Sequence, residues 1–196
     1  MIDKEINEII NRTKAEQLSS KMVFDGGFIK VFEETIKLPD GRIIKKNRVS
    51  KNNDKEAAIV ITRTVDDKYI IVFQNRVDNN VSAEFPSGYV ESGEDIVEAS
   101  VREVLEETGF TVNEAYLIDS FIPNIGTENT KIHIVYANGA TKEKNQSLDK
   151  DEFINYHLFN FNELQYLIDN NYIQSGGNKL AFYKLKEILD KENERE

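Results

Sequence analysis

Apolar residues recur along this chain with two different spacings, and each change of spacing marks an element. Residues 3 to 18 carry a weak helical repeat. From Lys21 to Val49 the pattern turns strand-like. Met22-Val23-Phe24 and Phe28-Ile29-Lys30-Val31-Phe32 flank the turn signal Asp25-Gly26-Gly27. Leu38-Pro39-Asp40-Gly41-Arg42 reads as a hairpin turn between Thr35-Ile36-Lys37 and Ile43-Ile44. Residues 1–50 are therefore expected to build a small antiparallel sheet. Ala57 to Thr62 and Tyr69 to Phe73, joined by Val65-Asp66-Asp67-Lys68, predict paired core strands. Helical spacing returns over residues 94–108. Beyond it, Ala115 to Phe121, Lys131 to Ala137 and Phe153 to Phe159 read as strands, and Asn138 to Lys150 as a polar loop. Phe161 to Asn170 and Lys179 to Lys191 read as helices. Strands before and after a central helix, with helices at the end, predict one mixed α/β layered domain over residues 51–196. No internal repeat, low-complexity tract or linker interrupts it.

Composition narrows the function classes. The 196 residues are 39% hydrophobic and 31% charged, the balance of a globular chain with room for a sizeable core. The net charge of −10 disfavours coating a nucleic-acid backbone, so no nucleic-acid partner is expected. No apolar run approaches the roughly 20 residues that cross a bilayer. Met1-Ile2-Asp3-Lys4-Glu5 lacks the basic-then-apolar order of a signal peptide. No membrane partner is expected. The absence of cysteine excludes disulfides, thiolate metal sites and cysteine nucleophiles and fits a cytoplasmic location.

The candidate chemistry lies in Gly88 to Phe110. Ser92 or Gly93 can cap a helix whose first turn holds Glu94 and Asp95, where the helix dipole favours acids, and Gly109 supplies the left-handed stop. Val97, Val101, Val104 and Leu105 form an apolar stripe. Glu103, Glu106 and Glu107 share another face, because residues three and four apart are helical neighbours. Like charges at that spacing repel. A solvated acidic face is the ordinary explanation of such glutamates in an acidic chain. A divalent cation reverses the sign, since hard oxygen ligands converging from one face suit Mg²⁺. The whole segment decides between the two. It reads Gly, five free, Glu, seven free, Arg-Glu, an apolar residue, one free, Glu-Glu, one free, Gly, apolar. A given window matches that pattern with a chance on the order of 10⁻⁸ at ordinary residue frequencies.

On these residues the chain is identified as a member of the Nudix hydrolase superfamily. The resemblance extends over about residues 20 to 185, with weaker specificity outside the box. Glu84-Phe85-Pro86-Ser87-Gly88 and Phe73-Gln74-Asn75-Arg76 resemble segments of the ADP-ribose pyrophosphatase branch, as do Leu38-Pro39-Asp40-Gly41 and Asp151-Glu152-Phe153-Ile154. The resemblance implies an α/β/α sandwich with a mixed sheet, plus an N-terminal sheet that swaps between subunits of a homodimer. It implies Mg²⁺, with Mn²⁺ as a substitute, held by Glu103, Glu106, Glu107 and the backbone carbonyl of Ser87. Arg76 would hold the diphosphate, Glu84 would sit near substrate and metals, and Arg102 and Glu94 would brace the ligands. The general base is expected among Asp149, Asp151 and Glu152, with Glu152 preferred by alignment to the following strand. Phe28 would stack on the base, as aromatics of that sheet do in the branch, although core packing is the commoner fate of Phe24, Phe28 and Phe32. Pro123-Asn124-Ile125-Gly126-Thr127-Glu128 matches the branch's substrate loop in its glycine, hydroxyl and acid, giving Glu128 a substrate contact. Ile125 stands where the branch has proline. His133 and His157 have no partner suggested by their neighbours in sequence and read as structural. The implied reaction is hydrolysis of a nucleoside diphosphate sugar, first ADP-ribose to AMP and ribose 5-phosphate. A GDP-sugar or other nucleoside diphosphate hydrolase is the near alternative. A nucleotide sensor without catalysis is the alternative of another class.

Overall fold

The computed structural model describes residues 2–76, 80–150 and 152–194. Its contacts divide the chain into two units, Met1–Lys55 with Asn124–Thr130, and Glu56–Pro123 with Lys131–Glu196. Among the described residues no helix is long and apolar enough to cross a membrane.

The first unit opens with helix α1 (Ile2–Thr13), which ends sooner than the helical repeat suggested because β1 (Glu16–Asp25) begins at Glu16. Strands β1, β2 (Ile29–Lys37) and β3 (Ile43–Lys51) form an antiparallel sheet in that order. Its turns fall where glycine was read: Gly27 and Gly41 take φ of 78° and 87°, a region open to glycine at little cost. After β3, Asn52, Asn53 and Asp54 all take positive φ, which Asn and Asp tolerate better than other side chains. Asp54 is held there by Arg48 at 3.0 Å, and Arg48 also lies 4.4 Å over the Phe32 ring. The 124–130 segment joins this unit through Val49 N–H to the Thr127 carbonyl (2.7 Å) and through Lys51 to the buried carboxylate of Glu128 (3.0 Å).

The second unit is the expected sandwich. Its mixed sheet runs β11 (Ile154–Phe159), β5 (Tyr69–Asn75), β4 (Ala57–Thr64), β10 (Ile132–Lys142), β8 (Phe110–Thr111). Three further strands attach: β6 (Val81–Glu84) to β5, β7 (Ser87–Tyr89) to β4, and β9 (Glu114–Phe121) to β10. Only β4 and β10 pair in parallel among these. The central strands read as unbroken apolar runs because both faces are covered. Ile59, Ile61, Tyr69, Ile71, Ile134 and Tyr136 face α3 (Phe161–Asp169) and α4 (Gly176–Asn193). Their neighbours Val60, Ile70, Val135 and Ala137 face α2 (Ile96–Thr108). The period of two along each strand thus makes two cores.

Strand β10 runs on to Lys142, so residues 138–142, read as loop, are sheet. Polarity hid them: Gly139 takes φ of 70° at an irregularity between Ala137 and Ala140, after which pairing resumes with Thr64 and Thr111. The short strands β6, β7 and β8 carry too few residues for a periodic signal.

One buried contact fixes the strand link that leads to the box. Asn178, at the start of α4 and 2% exposed, accepts the Phe85 N–H at 2.7 Å through Oδ1. Asn178→Ala leaves a buried amide without an acceptor. Urea denaturation is expected to show a loss of about 1–3 kcal/mol; an unchanged midpoint would show that Phe85 finds another partner.

Candidate active site

Helix α2 supplies most of the candidate groups. Its cap is Asp95, whose side chain accepts from Val97 N–H (2.8 Å) and Glu98 N–H (3.3 Å). The cap is therefore later than Ser92 or Gly93, and Glu94 lies outside the helix, free to turn toward Arg102. Glycine 109 closes the helix at φ 72°, as expected. The face packed on the sheet also differs from the expected stripe. Ala99, Ser100, Val104, Glu107 and Thr108 are buried, whereas Val97, Val101 and Leu105 are half-buried. The helix is rotated so that Glu107 goes inward.

Arg102 organises the outer half of the acid cluster. Its guanidinium donates to Glu94 (2.9 and 3.0 Å), Glu103 (2.7 Å), Glu106 (3.0 Å) and the Tyr89 carbonyl (3.1 Å). The hydrogen bonds to Arg102 hold Glu94 below the usual carboxylate range. Glu103 is raised above that range, because burial outweighs Arg102. Glycine 88 allows this approach: a Cβ there would fall on the Glu103 carboxylate.

Glu107 is 3% exposed and accepts the Ser87 N–H at 3.1 Å. Burial pushes its carboxyl well above the ordinary range, the Ser87 amide opposes this, and the charges of Glu103, Glu152 and Glu84 push it further. Glu84, Glu103, Glu107 and Glu152 thus act on one another across one space. Arg76 borders it. Its Nε and Nη2 grip the buried carboxylate of Glu84 at 2.9 and 2.5 Å, and Glu84 and Glu107 both hold its charge firmly. The Arg76 side chain is about half exposed, whereas that of Glu84 is buried.

The candidate donors are all oxygens, three carboxylates and the Ser87 carbonyl, the type that hard divalent cations take. Two of the carboxylates, Glu103 and Glu107, are desolvated without full compensation by the protein, and a cation would supply that compensation. Among the described residues no three of these acids converge closely enough to hold a metal ion as they stand, and Glu103 and Glu106 are bonded to Arg102; what fits Mg²⁺ or Mn²⁺ is the chemical type of the donors.

The segment after β10 lies against the C-terminal end of α2. Ser147 N–H donates to the Glu106 carbonyl (2.8 Å), Lys142 Nζ to that of Thr108 (2.6 Å), and the amides of Glu143 and Lys144 to that of Gly109. Of the candidate bases, Glu152 exchanges bonds with Asp149: its carboxylate accepts the Asp149 N–H at 3.2 Å, and its own N–H donates to the Asp149 carbonyl at 3.1 Å. Its charge reaches Glu103 and Glu107. Asp151 lies outside the described residues. Phe28, 53% exposed, and Glu128, buried against Lys51, belong to the first unit.

Sequence reading overlooked two features. The capping role of Lys142 is one; the signal was that the last carbonyls of any helix need donors. The other is His133. It is buried between Ser120 Oγ (2.7 Å from Nδ1) and Glu56 Oε2 (3.0 Å from Nε2), so it does have partners. Ser120 is its cross-strand neighbour in β9, and Glu56 precedes β4. His157 packs its ring 4.9 Å from that of Phe159.

Residues 53–176 match the family model described as NUDIX domain. The chain is 31% identical to the methanol dehydrogenase activator of Bacillus methanolicus over 153 residues, 76% of this chain and 81% of that one. It is 27% identical to the ADP-ribose pyrophosphatase of Bacillus subtilis (strain 168) over 176 residues, 88% of this chain and 94% of that one. A solved structure described as an ADP compounds hydrolase superimposes with a TM-score of 0.82 at 22% identity, covering 91% of this chain and 96% of that one, which bears on the fold.

The burial of Glu107 has a thermodynamic consequence in excess chelator. Its folded pKa lies above the unfolded value of about 4.3, so this residue adds stability as pH falls through the folded value and subtracts it above. Glu107→Gln removes the charge. Its melting temperature with chelator should equal or exceed wild type at about pH 8, and the advantage should shrink as pH is lowered toward about 5. A mutant several degrees less stable at the higher pH would mean that the ionised carboxylate stabilises the metal-free fold.

Proposed function

Because the chain belongs to the Nudix family and is a pyrophosphohydrolase, we propose that its substrate is a nucleoside diphosphate sugar, with ADP-ribose the first candidate. The observation that carries this reading is the desolvated carboxylate cluster of Glu103 and Glu107 bordered by the Arg76–Glu84 pair. Likeness to a pyrophosphatase of ADP-ribose over 88% of the chain supports the choice of nucleotide.

Glu103, Glu106, Glu107 and the backbone carbonyl of Ser87 would hold Mg²⁺ or Mn²⁺. Such a cation supplies the positive charge that offsets the diphosphate and makes a water easier to deprotonate. Arg102 keeps Glu103 and Glu106 turned to one side through its fork. Arg76, oriented by Glu84, offers its remaining donors to phosphate oxygens, where guanidinium geometry suits the anion. Glu152 takes the proton of the water that attacks phosphorus. The P–O bond of the diphosphate bridge then breaks, and water, ADP-ribose and its two products balance as AMP plus ribose 5-phosphate. A GDP-sugar would meet the same groups, since none of them touches the base.

We also propose that the first unit joins two copies of the chain. Ile2, Ile6, Ile9 and Ile10 lie along one stripe of α1, and every residue of that helix is exposed. Strand β1 buries no residue, and its Met22, Val23 and Phe24 are about half exposed. Exposed apolar surface of this extent marks an interface, and a second copy carries the same surface.

ADP-ribose should exceed GDP-mannose, ATP and a dinucleoside polyphosphate in kcat/KM with Mg²⁺, and turnover should vanish with chelator. Glu107→Gln should lose at least ~100-fold in kcat, the scale of a transition-state charge stabiliser. A tenfold preference for ATP would remove the nucleotide-sugar assignment, and binding without turnover of any compound would favour a sensor. Light scattering at micromolar concentration should give twice 22.5 kDa. Replacing Ile6 and Ile10 by Glu should give the monomer mass; a wild-type monomer would reject the interface.

A further inference from the structure

The end of α2 is capped carbonyl by carbonyl from Lys142, the last residue of β10, and from the segment after it, and two of those donors, Lys142 Nζ and Gln146 Nε2, are side chains. Gln146 Nε2 donates to the Glu107 carbonyl at 2.5 Å and to the Ile154 carbonyl at 3.0 Å. A primary amide has two hydrogens, and both are committed. The first acceptor belongs to a residue of the acid cluster. The second is the first residue of β11, buried at 3% exposure and paired with Gln74 of β5, two residues from Arg76.

Gln146 thus pins both ends of a short loop. Next to it, Ser147 N–H reaches the Glu106 carbonyl, so the loop begins on the backbone of Glu106 and Glu107. It ends at Ile154, two residues beyond Glu152. Inside, Asp149 and Glu152 are bonded to each other. No other side chain is bonded to both ends among the described residues. We propose that Gln146 is the positioning residue for Glu152, setting the reach of that carboxylate toward the Glu103–Glu107 cluster. The charge of Glu152 felt at both of these glutamates agrees with such a placement. Strand β5 holds Ile154 with or without Gln146, so what Gln146 adds is the direct tie between the two ends of the loop; losing it lets Glu152 shift, and misplacement by about 1 Å can cost 10²-fold in rate.

This inference rests on Glu152 being the proton acceptor, and the test separates the two. Gln146→Met keeps the length of the side chain and removes both donors. It is compared with Glu152→Gln and with the double mutant, as full-length protein. Gln146→Met should lower kcat by at least ~10-fold with KM within about twofold. Mn²⁺ affinity, measured without nucleotide, should stay at the wild-type value. In the Glu152→Gln background, Gln146→Met should change kcat no further, because a residue that acts through another adds nothing once the other is gone. Amide exchange at residues 147–150 and 152–154 should accelerate in Gln146→Met. Losses that multiply in the double mutant, a change confined to KM, or unchanged exchange would each overturn the inference while leaving Glu152 in place. A Glu152→Gln enzyme with wild-type kcat would overturn the base assignment and this inference together.

Discussion

The structure is organised around an electrostatic liability. Glu103, Glu106 and Glu107 crowd the C-terminal half of α2, where the helix dipole is already negative. Repulsion at helical spacing is mild in water, a few tenths of a kcal/mol per pair. Here it is sharpened by burial, which lifts Glu103 and Glu107 above the ordinary carboxylate range. The protein answers it only on one side. Arg102 satisfies Glu103 and Glu106, while Glu107 receives the Ser87 amide. A group that is this costly and only partly compensated is a candidate functional group.

The rest of the second unit maintains that state. Two cores on opposite faces of the sheet fix α2 against β4 and β10. Strand β7 delivers Ser87 to Glu107 because its register places Ser87 beside Ile59 of β4. Glycine 88 clears the space Glu103 occupies. At the far end, Lys142 donates to the Thr108 carbonyl while lying 4.7 Å over the Tyr156 ring. This adds a positive charge at the negative helix end. The amides of Glu143, Lys144 and Ser147 cover neighbouring carbonyls, so the helix end gains its hydrogen bonds from the loop that carries Glu152. Capping and loop placement are one interaction.

Much of this was legible in the residues. The box is a linear pattern, and helical spacing alone gathers its three glutamates on one face. The apolar runs Ala57 to Thr62 and Tyr69 to Phe73 read as paired core strands, and the structure covers them on both faces. What escaped was non-local or rotational. Asp95 displaced Ser92 and Gly93 as the cap, because its side chain reaches two amides at once. A turn of the helix put Glu107 inside and left Val97 and Val101 half-buried, because apolar periodicity does not report a buried carboxylate. The pairing of His133 with Ser120 and Glu56 bridges residues 13 and 77 apart. So does the bond from Gln146 to Glu107, 39 apart. No periodicity reports these.

The segment 124–128 shows how the fold changes the meaning of a single residue. Read in sequence, Ile125 in place of proline suggests a looser loop, because proline would fix φ. The folded chain restrains it by other means. The amides of Thr127 and Glu128 both bond to the Asn124 carbonyl, at 3.0 and 2.9 Å. Val49 N–H then holds Thr127 to β3, and Lys51 holds the carboxylate of Glu128. Ile125 itself is 81% exposed and takes no part in these anchors. The lost proline therefore removes little order from residues 124–128. What it alters is surface, replacing a rigid ring with a branched apolar side chain at the tip of the loop. Any departure in substrate choice traced to this position would come from what Ile125 touches, not from how freely the loop moves.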